Sequence, residues 1–505
     1  MRRALVMVAC LLVVVPAAVY VVATRVLASD YTRSALERQL TSRLGQPVHI
    51  GTLEAAVYPR VAVDLDEVTI GAPAAVTLAH VRVVTGLRAL FSRTIADAEL
   101  VLRNSRLTLP LPVSLLPAST AADTATTGSG LTIASVKLVS LENVELVAPP
   151  HVLRIDLKGS IAGDQLEIKR FAVQGHSRID GKGALTSMAR VEGSMEASAD
   201  PLDLDELMAI ASALTTTTTT GGAAQKSASA TPIHLTIALT GTKGQFSTYT
   251  FSDLSTTTQL TTGRVTLAPL AVRTFGGHFN GQLDADTRGT VPQLHLSGRI
   301  DGLDVATLMK ASGVAGGITG TLGGTVNLTA SGTEASTVLQ TAHGTIAAAI
   351  TRGTIEHLDL VRTIVLAFGK PSGVPPEGSG SAFTRVGGTF ALARQTLTSN
   401  DLSLASRDFD VNGRSTFQLS TGALDARGDV ALSPELTAQA GTDLRRYAQH
   451  DGRVVVPATV GGTIENPRVA VDVQAAAARA LENEIKRRAT DLFEGLFKKK
   501  GKGGP

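Results

Sequence analysis

Tryptophan is absent from the chain, cysteine occurs once and aromatic residues make up only 4% of it. Sandwich cores usually include bulky aromatic side chains, so their scarcity weakens a tightly packed two-sheet arrangement. The one cysteine, Cys10, falls in an apolar N-terminal stretch, which leaves the rest of the chain without a disulfide or a thiolate metal site. Charged residues are also few, at 18%, and the net charge of +3 is too small to signal a nucleic-acid partner. The few basic runs sit at the two ends. Low charge combined with 43% apolar residues argues against a disordered chain.

One long uncharged run is present. Ala4 to Ala23 carries no charge and is bracketed by Arg2-Arg3 and Arg25. At 1.5 Å per residue it spans about 30 Å, the thickness of a bilayer's hydrocarbon core. A cleaved signal peptide is the competing reading, with Val21-Val22-Ala23 or Pro16-Ala17-Ala18 as weak cleavage candidates. The length favours a retained anchor, represented by Ala4, Leu12 and Val22. Arg2 and Arg3 place its N-terminus in the cytoplasm by the positive-inside tendency, with the body on the far side of the membrane. No later stretch is long and apolar enough to cross back.

Behind this segment, Tyr31 to Leu44 reads as a short helix with Leu36, Leu40 and Leu44 on one stripe and Gly45 as its stop. Strict alternation then takes over. Val61, Val63 and Leu65 alternate with Ala62, Asp64 and Asp66, and Leu153, Ile155 and Leu157 with Arg154, Asp156 and Lys158. Leu166 and Ile168, Leu294 and Leu296, Val326 and Leu328, and Val469, Val471 and Val473 repeat the pattern. Period two gives each strand one apolar and one polar face. Many Thr and Val with spaced Gly support the same reading. Residues 117–130, 215–232 and 371–381 are small, polar and low in complexity, and read as linkers or loop tips.

Helical patterns in the body are short: 201–214, 303–311, 358–368, and a longer one over 474–500 ending in a basic tail. Its stripe of Leu481, Ile485, Leu492 and Leu496 suggests a plug for the end of a groove, while its basic flank suits anionic lipid headgroups. Helices this few cannot cover so many one-face-apolar strands. The sheet must curl, pack as a sandwich, or leave an apolar groove. The expected fold is therefore mainly β: an elongated, twisted, curled antiparallel-rich sheet forming an apolar groove, with an N-terminal transmembrane helix and a C-terminal amphipathic one. The alternating apolar residues named above are its expected lining.

Catalytic motifs are incomplete. Gly175-His176-Ser177 begins like a nucleophile elbow, but Ile179 stands where glycine is needed. Gly181-Lys182-Gly183 completes neither a dinucleotide fingerprint nor a P-loop. Glu356, His357 and Asp359 read as solvated groups rather than metal ligands, and His295 falls on the polar face of its strand. We expect no enzyme, no cofactor and no metal.

The order of soft motifs carries a family resemblance. RQLTSRLGQPVHIGTLEAAVYPRVAVDLDEVTIGAP (38–73), SDLSTTTQLTTGRVTLAPLAVRTFGGHFNGQL (252–283), GTIAAAITRGTIEHLDLVRTI (344–364) and FDVNGRSTFQLSTGALDARGDVALS followed by VPATVGGTIENPRVAVD resemble the AsmA-like family of bacterial envelope proteins. The resemblance is best over residues 1–110 and 245–500 and poor over 115–230. It implies an inner-membrane anchor, a periplasmic β-groove body, and a role in outer-membrane biogenesis with phospholipids as partners. On this basis the chain divides into an anchor (1–28), an N-terminal AsmA-like part (29–116), a variable β segment (117–232), a C-terminal β-groove (233–474) and a helix with basic tail (475–505). The competing function is an assembly or scaffolding factor for outer-membrane proteins, using exposed strand edges. A weaker third is a stalk whose repeats supply length.

Overall fold

The computed structural model describes residues 30–56, 60–86, 94–109, 132–133, 135–215, 232–311, 313, 317–356, 358, 360–367, 380–439, 449–450, 452–472 and isolated positions from 474 to 489. The anchor residues Ala4, Leu12 and Val22 lie outside them, as do Val473, His357, Asp359 and nearly all of the three low-complexity stretches. Among the described residues no helix is long and apolar enough to cross a membrane. The protein is mainly β, antiparallel-rich, with a few short helices. It separates into two compact units, residues 1–266 and 267–505.

The first unit opens on α1 (Asp30–Leu44). Asp30 stands in its first turn, where a negative charge suits the helix dipole, and pairs with Arg33 at 3.2 Å. Gly45 ends it at φ +66°, its N–H donating to the Thr41 carbonyl at 2.9 Å. Leu36 and Leu40 pack against Val48, Ile50 and Val68, but Leu44 is exposed. A four-residue spacing outruns the 3.6-residue turn, so two such steps rotate a side chain about 80° off the stripe.

β1 (Val48–His49) and β2 (Thr52–Ala56) both pair with β3 (Val61–Ile70), which pairs in turn with β4 (Val76–Thr85). β5 (Thr94–Ile95) makes a separate parallel pair with β8 (Thr132–Ile133). β6 (Ala98–Arg103) and β7 (Arg106–Thr108) join β4 to β9 (Ser135–Ala148), the latter in parallel. Across that parallel ladder Arg103 faces Glu142 and Arg106 faces Glu145, with N–O separations of 2.8 and 2.7 Å. The Arg103 guanidinium holds the Glu142 carboxyl below its ordinary range.

A meander follows: β10 (His151–Ala162), β11 (Gln165–Gln174), β12 (Arg178–Ser187) and β13 (Glu192–Ala199). After β14 (Leu202–Asp203), α2 (Leu204–Thr215) intervenes between strands, so β13 and β14 run parallel to β15 (His234–Phe246). β16 (Tyr249–Thr261) returns antiparallel. Asp203 caps α2 by accepting the N–H groups of Asp205 and Glu206, both at 3.1 Å. Ile210 of this helix packs with Val76, Leu109, Ala148 and Leu153 to form the unit's main core.

β17 (Arg264–Thr274) straddles the division. In the second unit β18 (Gly277–Asp286), β19 (Gln293–Asp304), β20 (Thr321–Ser331), β21 (His343–Ile355), β22 (Ser381–Ala393), β23 (Thr396–Ala405), β24 (Phe409–Gln418) and β25 (Leu424–Leu432) form one antiparallel succession. β26 (Gln449–His450), β27 (Arg453–Gly462) and β28 (Pro467–Val471) complete it, with β27 as neighbour of β25, β26 and β28. Between them lie α3 (Val305–Ala311), α4 (Ala335–Thr341), α5 (Leu360–Ala367) and α6 (Pro434–Gln439). The sequence foresees α1, α2, α3 and α5 but neither α4 nor α6.

Candidate functional site: an apolar groove in the second unit

The succession β21–β28 carries its alternation from strand to strand, with one register shift in the β22–β23 ladder and one in the β23–β24 ladder. Val411 faces Val430, Gly413 faces Gly428, Ser415 faces Ala426 and Phe417 faces Leu424. The next ladder brings Val460 beside Ala426 and Ala458 beside Gly428. On the other side Leu404 lies against Val411 and Leu397 against Phe417. One face thus collects the apolar side chains of several strands, as period two requires.

Size, as well as polarity, is patterned on this face. Small residues (Gly413, Ser415, Ala426, Gly428 and Ala458) occupy the middle, and Phe390, Phe417, Leu424, Val411 and Val430 surround them. The result is an apolar cavity of about 330 Å³, at the lower end of the ~300–1,000 Å³ typical of ligand pockets. Gly413 cannot be replaced freely, because a Cβ there would lie 2.2 Å from the Arg427 carbonyl oxygen. The close backbone approach of the facing glycines therefore deepens the floor.

Helices close the strand ends rather than the middle. Leu360 of α5 and Leu436 of α6 pack with Phe383, Phe409, Val430, Leu432, Val454 and Val456, several of them fully buried. Val338 of α4 packs against Leu328, Ala330, Leu392 and Leu397. Between these two packed regions the face keeps its half-buried lining. Arg427, the one charged residue among those described along the cavity, stands between Ala426 and Gly428 and so directs its side chain to the opposite face, where its guanidinium is tied to Asp425 at 3.3 Å.

The opposite face of the same unit is polar. Arg299, Thr351, Arg385, Thr389 and Asp401 line a depression of about 620 Å³. Asp401 accepts the Thr389 N–H at 2.7 Å and the Ser399 hydroxyl at 2.9 Å, and these bonds hold its carboxyl below the ordinary range.

The residues expected to line a groove are distributed as follows. Leu294 and Leu296 pair with Ala330 and Leu328, and Val326 sits opposite Gly298 and Ile346, so these four predicted positions share one patch. Val469 and Val471 are ladder partners of Val460 and Ala458 and pack against the core cluster beside the cavity. In the first unit Val61, Val63 and Leu65 pair with Thr85, Val83 and Val81, and Leu65 packs with Val68. Leu153 is 4% exposed beneath Ile210, hence core rather than open lining. Ile155 and Leu157 face Val173 and Phe171, while Leu166 and Ile168 face Leu185 and Gly183. The 330 Å³ cavity itself is lined by other residues, chiefly from β22 to β27. Their alternation in FDVNGRSTFQ was present in the sequence, diluted by Gly413 and Ser415.

His295 faces Thr329 across the ladder, on the polar side, as its position implies. Leu481 and Ile485 are 64% and 61% exposed, so neither fills the end of a groove as the plug reading had it.

Fold and site together define a mainly-β protein in which the described residues leave one face of the second unit's strands apolar and open. Residues 217–416 match the model of the AsmA family, and over that segment the chain is AsmA-like. The match takes in β15 to β23 and most of β24; it reaches neither the N-terminal resemblance at 38–73 nor the strands after β24. No curated protein and no solved structure matches the chain.

Proposed function

We infer that this protein binds lipid acyl chains along the apolar face of its β-sheet and serves outer-membrane biogenesis by moving phospholipid. The observation that carries the reading is the groove of the second unit, small at its floor, lined almost wholly by apolar residues and left open by the described residues. An acyl chain is an apolar rod with no hydrogen-bonding demands, and each methylene removed from water contributes about 0.8 kcal/mol. The match to the AsmA family supports the envelope setting. In this account the uncharged segment Ala4 to Ala23 anchors the chain once in the inner membrane, with the N-terminus cytoplasmic and the body periplasmic. The anchor keeps the sheet beside its lipid source.

The test is lipid analysis of the full-length protein extracted from bacterial membranes and exchanged through detergent. Glycerophospholipid retained with the folded protein is the expected result. A folded, lipid-free protein that instead co-purifies with β-barrel proteins would support the scaffolding alternative.

A further inference from the structure

The first unit gathers three potential metal ligands that no motif in the sequence connects. His151 begins β10, His176 lies in the turn between β11 and β12, and Glu206 belongs to the first turn of α2. One ligand atom of each lies within 4.8 Å of the others. Around a tetrahedral ion with bonds near 2.1 Å the ligands stand about 3.4 Å apart, so small side-chain movements suffice to close the set.

Two observations point to a ligand there. The first is the Nδ1 of His151, which is buried and has no hydrogen-bond partner. Orphaned buried polar atoms are rare and call for an explanation, such as a bound ion. The second is Glu206, only 1% exposed. Its carboxylate accepts the His176 N–H at 2.9 Å and the Ser177 N–H at 2.7 Å, and its one basic side-chain partner among the described residues is the exposed His176 ring, whose Nδ1 lies 3.9 Å away. A buried carboxylate so placed is costly without a cation, and both oxygens keep a lone pair to offer. The two amides also aim it, as outer partners of a metal ligand do. Asp203 adds to this order by capping α2 beneath Glu206, and its Oδ2 lies 3.9 Å from His176 Nδ1.

We propose that His151, His176 and Glu206 form a site for a divalent transition-metal ion of the zinc class, joining β10, the β11–β12 turn and α2. Two imidazoles and one carboxylate suit zinc, cobalt, nickel or copper, whereas calcium and magnesium take oxygen ligands. The His176 side chain is 72% exposed, which leaves the remaining coordination position open to water or an incoming donor. This assignment is independent of the groove.

The full-length protein, stripped with chelator and dialysed, is titrated with Co²⁺ under visible absorption, then with Zn²⁺ in competition. The expected result is ligand-field absorption that Zn²⁺ abolishes and Mg²⁺ leaves intact, with a zinc-dependent rise in Tm. His176→Ala keeps the backbone N–H that holds Glu206 and removes only an exposed ring, so folding is preserved. It is expected to weaken binding by more than about tenfold, the lower bound for losing even an outer-shell partner, and to abolish the zinc effect on Tm. The assignment is overturned if the wild type takes up no Co²⁺, as it would if a water alone satisfied His151. It is equally overturned if His176→Ala binds like the wild type.

Discussion

Replacing Ala426 by aspartate puts a carboxylate in the middle of the groove floor, between Ser415 and Val460. Without a ligand the new side chain is hydrated, so the fold loses little. An acyl chain lying over it strips that water. The cheapest response is protonation, which at pH 7 costs about 1.36 kcal/mol for each of the roughly three units separating pH from an ordinary aspartate pKa of about 3.9. The penalty is therefore about 4 kcal/mol, or on the order of a thousandfold in Kd. The same reasoning requires the loss to shrink about tenfold for each pH unit lowered toward 4. The assay is equilibrium binding of a fluorescent fatty-acyl probe to folded protein at several pH values. Thr459→Asp is the control, since Thr459 is exposed and pairs with Arg427 on the other face. Ala426→Asp protein that is folded and binds the probe as tightly as the wild type at neutral pH would refute the groove as the acyl site.

Other consequences follow from the packing. Phe409 is 2% exposed in the core beside the groove, and Phe409→Ala should cost about 3–5 kcal/mol, read from urea denaturation. Gly413→Val forces a Cβ toward the Arg427 carbonyl oxygen, 2.2 Å away in ideal geometry, and should lower stability by about 1–3 kcal/mol, seen as a fall in Tm. The acid limb of stability is also set by structure. Hydrogen bonds from Thr307 hold the Asp304 carboxyl low, and bonds from Thr389 and Ser399 do the same for Asp401. Both carboxyls bind protons less tightly folded than unfolded, so their contribution is full above about pH 4 and is lost as pH falls below it. Asp304→Asn with Asp401→Asn should flatten the fall in Tm below that pH, and an unchanged acid limb would contradict the assignment.

Strand identity was legible because alternation is a local signal. Val469-Ala470-Val471 and Leu294-His295-Leu296 announce their faces without any partner. The helix from Asp30 and its stop at Gly45 were equally readable, since a cap and a turn residue act within a few positions. The groove's own lining was harder. Gly413, Ser415, Ala426 and Gly428 look unremarkable in sequence, and only the register that sets them opposite one another makes a hollow. The core role of Leu153 depended on where α2 folds back, which period-two reasoning cannot see. His151, His176 and Glu206 were least visible of all. They meet through the β10 start, a turn and a helix, with no ligand spacing between them.

The most direct test places a photo-reactive amino acid at Phe417, on the groove face, or at Thr416, the next residue on the opposite face, in full-length protein within living bacteria. After irradiation, mass spectrometry of the purified protein reads what each position has captured. The account predicts phospholipid adducts at position 417 and none at 416. Equal labelling at the two positions, or protein adducts alone at 417, would contradict it.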